Sequence, residues 1–112
     1  MNDLKIVENN IEKVLTEMEA KKYRTLTILG MKCEKYAKGL CPVDTGNLRN
    51  SITHKVILND ELVYVGTNVE YAPYVELGTK KTKPKPYLRP AVENHMSEYK
   101  SIIDSEMKKP YY

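Results

Sequence analysis

Among the side chains of this 112-residue chain that could do chemistry, Asp44-Thr45-Gly46 is the most suggestive grouping. Two Asp-Thr-Gly aspartates brought together share one proton, so that one serves as base while the other serves as acid. The chain carries a single copy, and no apolar strand leads into it. Acid–base hydrolysis would therefore need a homodimer, and that reading is rejected. Asp44 or Thr45 can instead accept a hydrogen bond from a backbone N–H two or three residues on, capping a helical turn, while Gly46 relieves crowding of the backbone. Neither His54 nor His95 lies beside a plausible nucleophile, Cys33 and Cys41 lack a C-x-x-C spacing, and the carboxylates are scattered. With no phosphate loop and no metal-ligand spacing, no catalysis, metal or cofactor is expected.

The remaining chemistry is electrostatic. Lys80, Lys81, Lys83 and Lys85 stand in a Lys/Pro-rich stretch, Thr79 to Pro86, whose composition predicts an extended, solvated loop. Such lysines could touch phosphates in a salt-sensitive, sequence-blind way, or simply keep the surface wet. The formal charge of +3 is unevenly laid out. Residues 1–40 carry eight Lys/Arg against six Asp/Glu, residues 41–79 two against five, and residues 80–112 eight against four. An acidic middle and a basic tail suit head-to-tail self-association at least as well as nucleic-acid binding. A small nucleic-acid-binding module using the Lys80–Lys85 loop is the alternative reading. No aromatic platform is interleaved with those lysines, which argues against single-strand recognition.

These residues must be positioned by a chain long enough for one domain with its own core. Leu4, Val7, Ile11, Val14 and Met18 recur at helical spacing, and Leu26, Leu29, Cys33, Tyr36 and Leu40 continue the period. Lys13–Glu17, Glu17–Lys21 and Glu34–Lys38 support the outer face as i,i+4 pairs. Unbroken from about residue 2 to 38, this helix would be on the order of 50 Å long, more than a compact domain can cover. Either it breaks near Ala20–Lys22 or Gly30, or its first half projects onto another subunit. After Gly39 and Pro42 come the capped turn at 44–51 and a β-hairpin over about 52–67, turning at Asn59-Asp60-Glu61. A short helix is predicted over about 71–77, with Pro73 in its first turn and Gly78 in the left-handed position that ends it. Tyr71, Tyr74 and Leu77 share one face of it, as core or as subunit interface. A helix over about 88–107 completes an α+β layout: a long N-terminal helix, a small antiparallel sheet, a short helix and a C-terminal helix. No apolar run reaches the roughly 20 residues that span a bilayer, and the N-terminus lacks the apolar stretch of a signal peptide, so a cytoplasmic, membrane-free protein with reduced thiols is expected.

Three ordered motifs are then recognisable: Pro42-x-Asp44-Thr45-Gly46-x-Leu48-Arg49-x-Ser51-Ile52, Val65-Gly66-Thr67-x3-Tyr71-Ala72-x-Tyr74-x-Glu76-x-Gly78-Thr79, and Pro86-x-Leu88-Arg89-Pro90-Ala91. From about residue 42 to residue 93 the chain resembles the gp-ten-like head-tail joining, or tail-completion, proteins of tailed bacteriophages and prophages. The resemblance implies a non-catalytic structural subunit of the virion's head-tail junction. It further implies a ring, with a hexamer as the expected number, between the head connector and the tail tube, with DNA passing through its lumen. Asp44, Thr45, Gly46, Tyr71, Tyr74, Glu76, Gly78 and Arg89 are the expected structural or interface residues, and Lys80, Lys81, Lys83 and Lys85 a contact loop. The chain departs from the family in having no Phe or Trp, with Tyr87 where Phe is expected, and in its Lys/Pro loop.

Overall fold

The computed structural model describes residues 2–42 and 46–109, and for residues 2–11 the backbone alone. Asp44 and Thr45, with the cap expected of them, lie outside the described residues. The elements run α1 (Asn2–Leu40), α2 (Asn47–Ser51), β1 (Thr53–Ile57), a 3-10 turn (Leu58–Asp60), β2 (Leu62–Gly66), α3 (Ala72–Leu77), α4 (Leu88–Glu93) and α5 (Met96–Lys108). The architecture is α+β and mostly helical.

Helix α1 is continuous over 39 residues, about 58 Å at 1.5 Å per residue. It stretches the molecule to 74 × 26 × 21 Å, with a radius of gyration of 19.3 Å where a compact chain of this length has about 13 Å. Gly30 does not break the helix. A Cβ there would come within 2.7 Å of the His54 ring and 2.8 Å of Val63 Cγ2, so the absent side chain is what lets the hairpin lie against α1. The hairpin is an antiparallel pair, with Thr53 opposite Gly66 and Ile57 opposite Leu62. Glu61 takes the left-handed backbone that closes its turn (φ 53°). His54, Val56, Val63 and Val65 are partly buried, while Thr53, Lys55 and Tyr64 stay exposed. This is the alternation of a sheet with one face covered.

Helix α5 lies antiparallel to α1. Arg24 pairs with Glu106 near one end, Lys32 with Glu98 further along, and Tyr36 stacks on His95 at the other. The predicted C-terminal helix is therefore present but in two pieces, α4 and α5, broken at Asn94-His95. The His95 backbone leaves the helical region (φ −122°, ψ 20°) while its ring stacks on Tyr36 at 3.6 Å, nearly parallel. The core gathers around the C-terminal third of α1. It comprises Cys33, Ala37, Cys41, Leu48, Ile52, Ala72, Tyr87, Ala91 and Tyr99. The thiols of Cys33 and Cys41 are free, and burial pushes both upward in pKa. Leu40, expected on the apolar stripe, is exposed instead. The buried positions of the helix end, Cys33, Ala37 and Cys41, follow a stricter spacing of four.

Candidate functional site

The three motifs, separated by up to some forty residues in sequence, are tied together by hydrogen bonds. Ser51 and Thr67 share a short hydroxyl–hydroxyl hydrogen bond, and Thr67 Oγ1 also accepts from the Val69 N–H at 3.1 Å. The Glu76 carboxylate does more. Its Oε1 accepts from the backbone N–H groups of Tyr87 (3.0 Å) and Leu88 (2.8 Å), and its Oε2 from that of Arg89 (3.3 Å). A helix start leaves its first N–H groups without intrahelical partners and carries partial positive charge, and a carboxylate meets both needs. Glu76 thus fastens the end of α3 to the start of α4. The Arg89 guanidinium takes no part and instead pairs with Glu93 at 2.9 Å on the open surface.

Gly78 closes the same unit from the other side. Its backbone (φ 76°, ψ 177°) is not the left-handed helical position predicted but the mirror-extended region, essentially reserved for glycine. A Cβ would sit 2.7 Å from Pro84 N and 2.9 Å from the Thr82 carbonyl oxygen. The lysine loop is correspondingly held. Thr79 and Thr82 exchange backbone hydrogen bonds, Thr79 Oγ1 accepts from the Lys81 and Thr82 N–H groups, and the Lys85 N–H donates to the Val75 carbonyl at 2.8 Å. Lys80, Lys81, Lys83 and Lys85 are all exposed. Lys83 and Lys85 line a shallow cleft with Pro42, Tyr71, Tyr74 and Val75.

Against this fixed frame, Tyr71, Tyr74 and Leu77 are 42 %, 62 % and 77 % exposed. Core packing does not account for them. Tyr71 and Tyr74 border one cleft with Lys83 and Lys85, and Leu77 borders a neighbouring one with Glu76 and Leu88. Behind them Tyr87 is fully buried, and its hydroxyl finds no hydrogen-bond partner among the described residues. Desolvation, aided by nearby Cys41 and Glu76, pushes its pKa up to about 12. A phenylalanine would fill that site without an orphaned hydroxyl, which is the residue the resemblance led one to expect there.

Chemistry elsewhere is sparse. His54 Nδ1 lies 3.1 Å from Glu34 Oε1, and His95 stacks on Tyr36. Both histidines act in packing between elements. Among the described residues no group of three or more His, Cys, Asp or Glu could hold a metal ion, and no helix is long and apolar enough to cross a membrane. Sequence reasoning missed a second feature, a groove of about 270 Å³ bordered by Leu29, Val63, Val65, Leu88, Val92 and Met96. Its walls come from α1, β2, α4 and α5, so no local pattern could announce it.

No curated protein and no solved structure matches the chain. Residues 6–78, from the first turns of α1 through Gly78 and so nearly two thirds of the chain, match the family described as "Bacteriophage HK97-gp10, putative tail-component". The matched span takes in α1, which the sequence motifs did not include, and stops before the Pro86–Ala91 motif that Glu76 reaches across to. The chain belongs to the HK97-gp10-like family of bacteriophage tail components.

Proposed function

We propose that this protein is a structural subunit of the phage head-tail junction, forming a ring between the head connector and the tail tube. A hexamer is the expected number, and DNA passes through the lumen without being read. The observation that carries the reading is the exposed Tyr71–Tyr74–Leu77 face, held rigid by Glu76 and Gly78 beside the lysine loop, in a member of a tail-component family. Tyrosines presenting an apolar body and a polar tip from a fixed backbone suit a protein–protein contact, since little freedom is lost on docking. Lys80, Lys81, Lys83 and Lys85 add a cationic rim that steers an acidic partner. Heterologous docking, in which one surface of a subunit meets a different surface of the next, closes such rings. Among the described residues both histidines are engaged in contacts between elements, which suits a structural part.

Light scattering on the purified chain, alone and with its connector and tail-tube proteins, tests this. Rings, or a monomer driven into rings by either partner, are expected, and replacing Tyr74 and Leu77 with Ser should abolish partner binding while leaving helicity unchanged. A monomer indifferent to both partners but shifting with duplex DNA, with steep salt dependence, would move the assignment to the nucleic-acid module.

A further inference from the structure

One side of α1 and one cleft beyond its far end stay open, and the two match. An α-helix turns through about 100° per residue, so Glu12, Leu15, Glu19 and Tyr23 stand in one row at i, i+3, i+7 and i+11. All four side chains are exposed, Leu15 at 56 % and Tyr23 at 54 %. Neither carboxylate makes an ion pair among the described residues. The cation on this side of the helix, Lys22, is held by Glu61 at 2.8 Å, while Lys13 and Lys21 fall on other sides. The row therefore alternates acid with apolar bulk. The cleft, of about 220 Å³, has Pro42, Tyr71, Tyr74 and Val75 as its apolar wall and Lys83 and Lys85 as its cationic one. That is room for one leucine or tyrosine side chain, judged by the roughly 150 Å³ that holds one benzene. Lys83 and Lys85 make no ion pair among the described residues. Of the nearby carboxylates, Glu76 is committed to the N–H groups of α4, and Glu70 borders the neighbouring cleft.

Resting on the self-assembling reading above, we propose that the Glu12–Leu15–Glu19–Tyr23 row of one subunit docks on the Tyr71–Tyr74–Lys83–Lys85 cleft of the next. Leu15 and Tyr23 meet the tyrosine rings, and Glu12 and Glu19 meet the two ammonium groups. The occupant is a second copy because the chain carries both complementary surfaces and cannot bring its own together. The cleft opens at Pro42, just past the end of α1 at Leu40, and Leu15 stands 25 residues before that end on an unbroken helix, about 38 Å on a straight rod. The lysines also ride on a fixed frame, since the Lys85 N–H donates to the Val75 carbonyl at 2.8 Å, so little backbone freedom is lost on docking. Exposed ion pairs add little affinity by themselves. The apolar contacts supply it, and the charges set the register and reject wrong partners. A helix laid on a cleft by residues three and four apart is a recurrent mode of recognition. Since the row and the cleft are different surfaces of the same subunit, the contact is heterologous and propagates around a ring.

The test reverses the charges on each side. Glu12→Lys with Glu19→Lys makes the row cationic, and Lys83→Glu with Lys85→Glu makes the cleft acidic. All four positions are exposed, and circular dichroism should show unchanged helicity in both variants. Under conditions in which the parent chain forms rings, with tail-tube protein added where required, each variant alone sets like charges against each other and is expected at the monomer mass of 12.9 kDa. Their equimolar mixture offers every row a cleft of opposite sign, so assemblies of alternating subunits should return. Parent-like rings from either variant alone, or a mixture that stays monomeric, would overturn the pairing while leaving the ring reading standing. A parent chain that never self-associates overturns both.

Discussion

The two halves of α1 obey the same local rules and meet opposite fates. Residues 4–18 and 26–40 share an apolar period and carry i,i+4 charge pairs. Beyond Lys21 the helix is embedded. Gly30 admits the hairpin, Glu34 meets His54, Lys32 meets Glu98 and Arg24 meets Glu106. Before it, every residue from 12 to 16 faces solvent. Periodicity selects which side of a helix wants cover, but the cover itself comes from residues far away in sequence. The same lesson holds at α3, where Ala72 is buried while Tyr74, Leu77 and the preceding Tyr71 are not.

That contrast can be broken or sharpened by mutation. Gly30→Val places a branched side chain where even a Cβ meets His54 and Val63 below 3 Å. Overpacking of this kind should cost about 3 kcal/mol in urea unfolding, and an unchanged midpoint would mean the hairpin is not seated on α1 as described. Glu76→Ala removes the acceptor of three backbone N–H groups at the start of α4. A loss of about 2 kcal/mol is expected, at the upper end for a lost cap, with faster amide exchange at Tyr87 and Leu88 as the local signature. Tyr87→Phe runs the other way. Deleting a buried hydroxyl that lacks a partner should leave stability unchanged or raise it by about 1 kcal/mol, and a clear loss would reveal a hydrogen bond to that oxygen.

Acid should separate the two halves further. Glu106 is held below the usual carboxylate range, first by its hydrogen bond with Lys109 and then by the charges of Lys109 and Arg24. A depressed folded pKa means that the unfolded chain binds the proton more readily. The stabilisation is thus present above the ordinary carboxylate value near 4.3 and is lost as pH falls through the lower, folded one. Melting temperature should decline in that window, and Glu106→Gln should flatten the decline. The smallest effect belongs to the first half of α1. Leu15→Ser should change the stability of the monomer by less than about 0.5 kcal/mol, and a larger loss would show that this face is already covered.

Much of the layout was readable in advance. The hairpin, its turn at Asn59–Glu61 and the short helix all follow from period, turn chemistry and residue type, which act over a few residues. Other features were not. The Asn94-His95 break lies where the His95 ring stacks on Tyr36, nearly sixty residues upstream. Glu76 looked equally fit for an interface until the N–H groups of α4 came within reach. The mirror-extended backbone of Gly78 is dictated by Pro84 and Thr82 folding back over it. By itself, the sequence determined the main stretches that become helix or strand, though not the break between α4 and α5, and which side of each is apolar, because propensity and spacing are local. The tertiary structure alone decided which apolar faces are buried and which remain open, because burial depends on what the rest of the chain brings within contact distance.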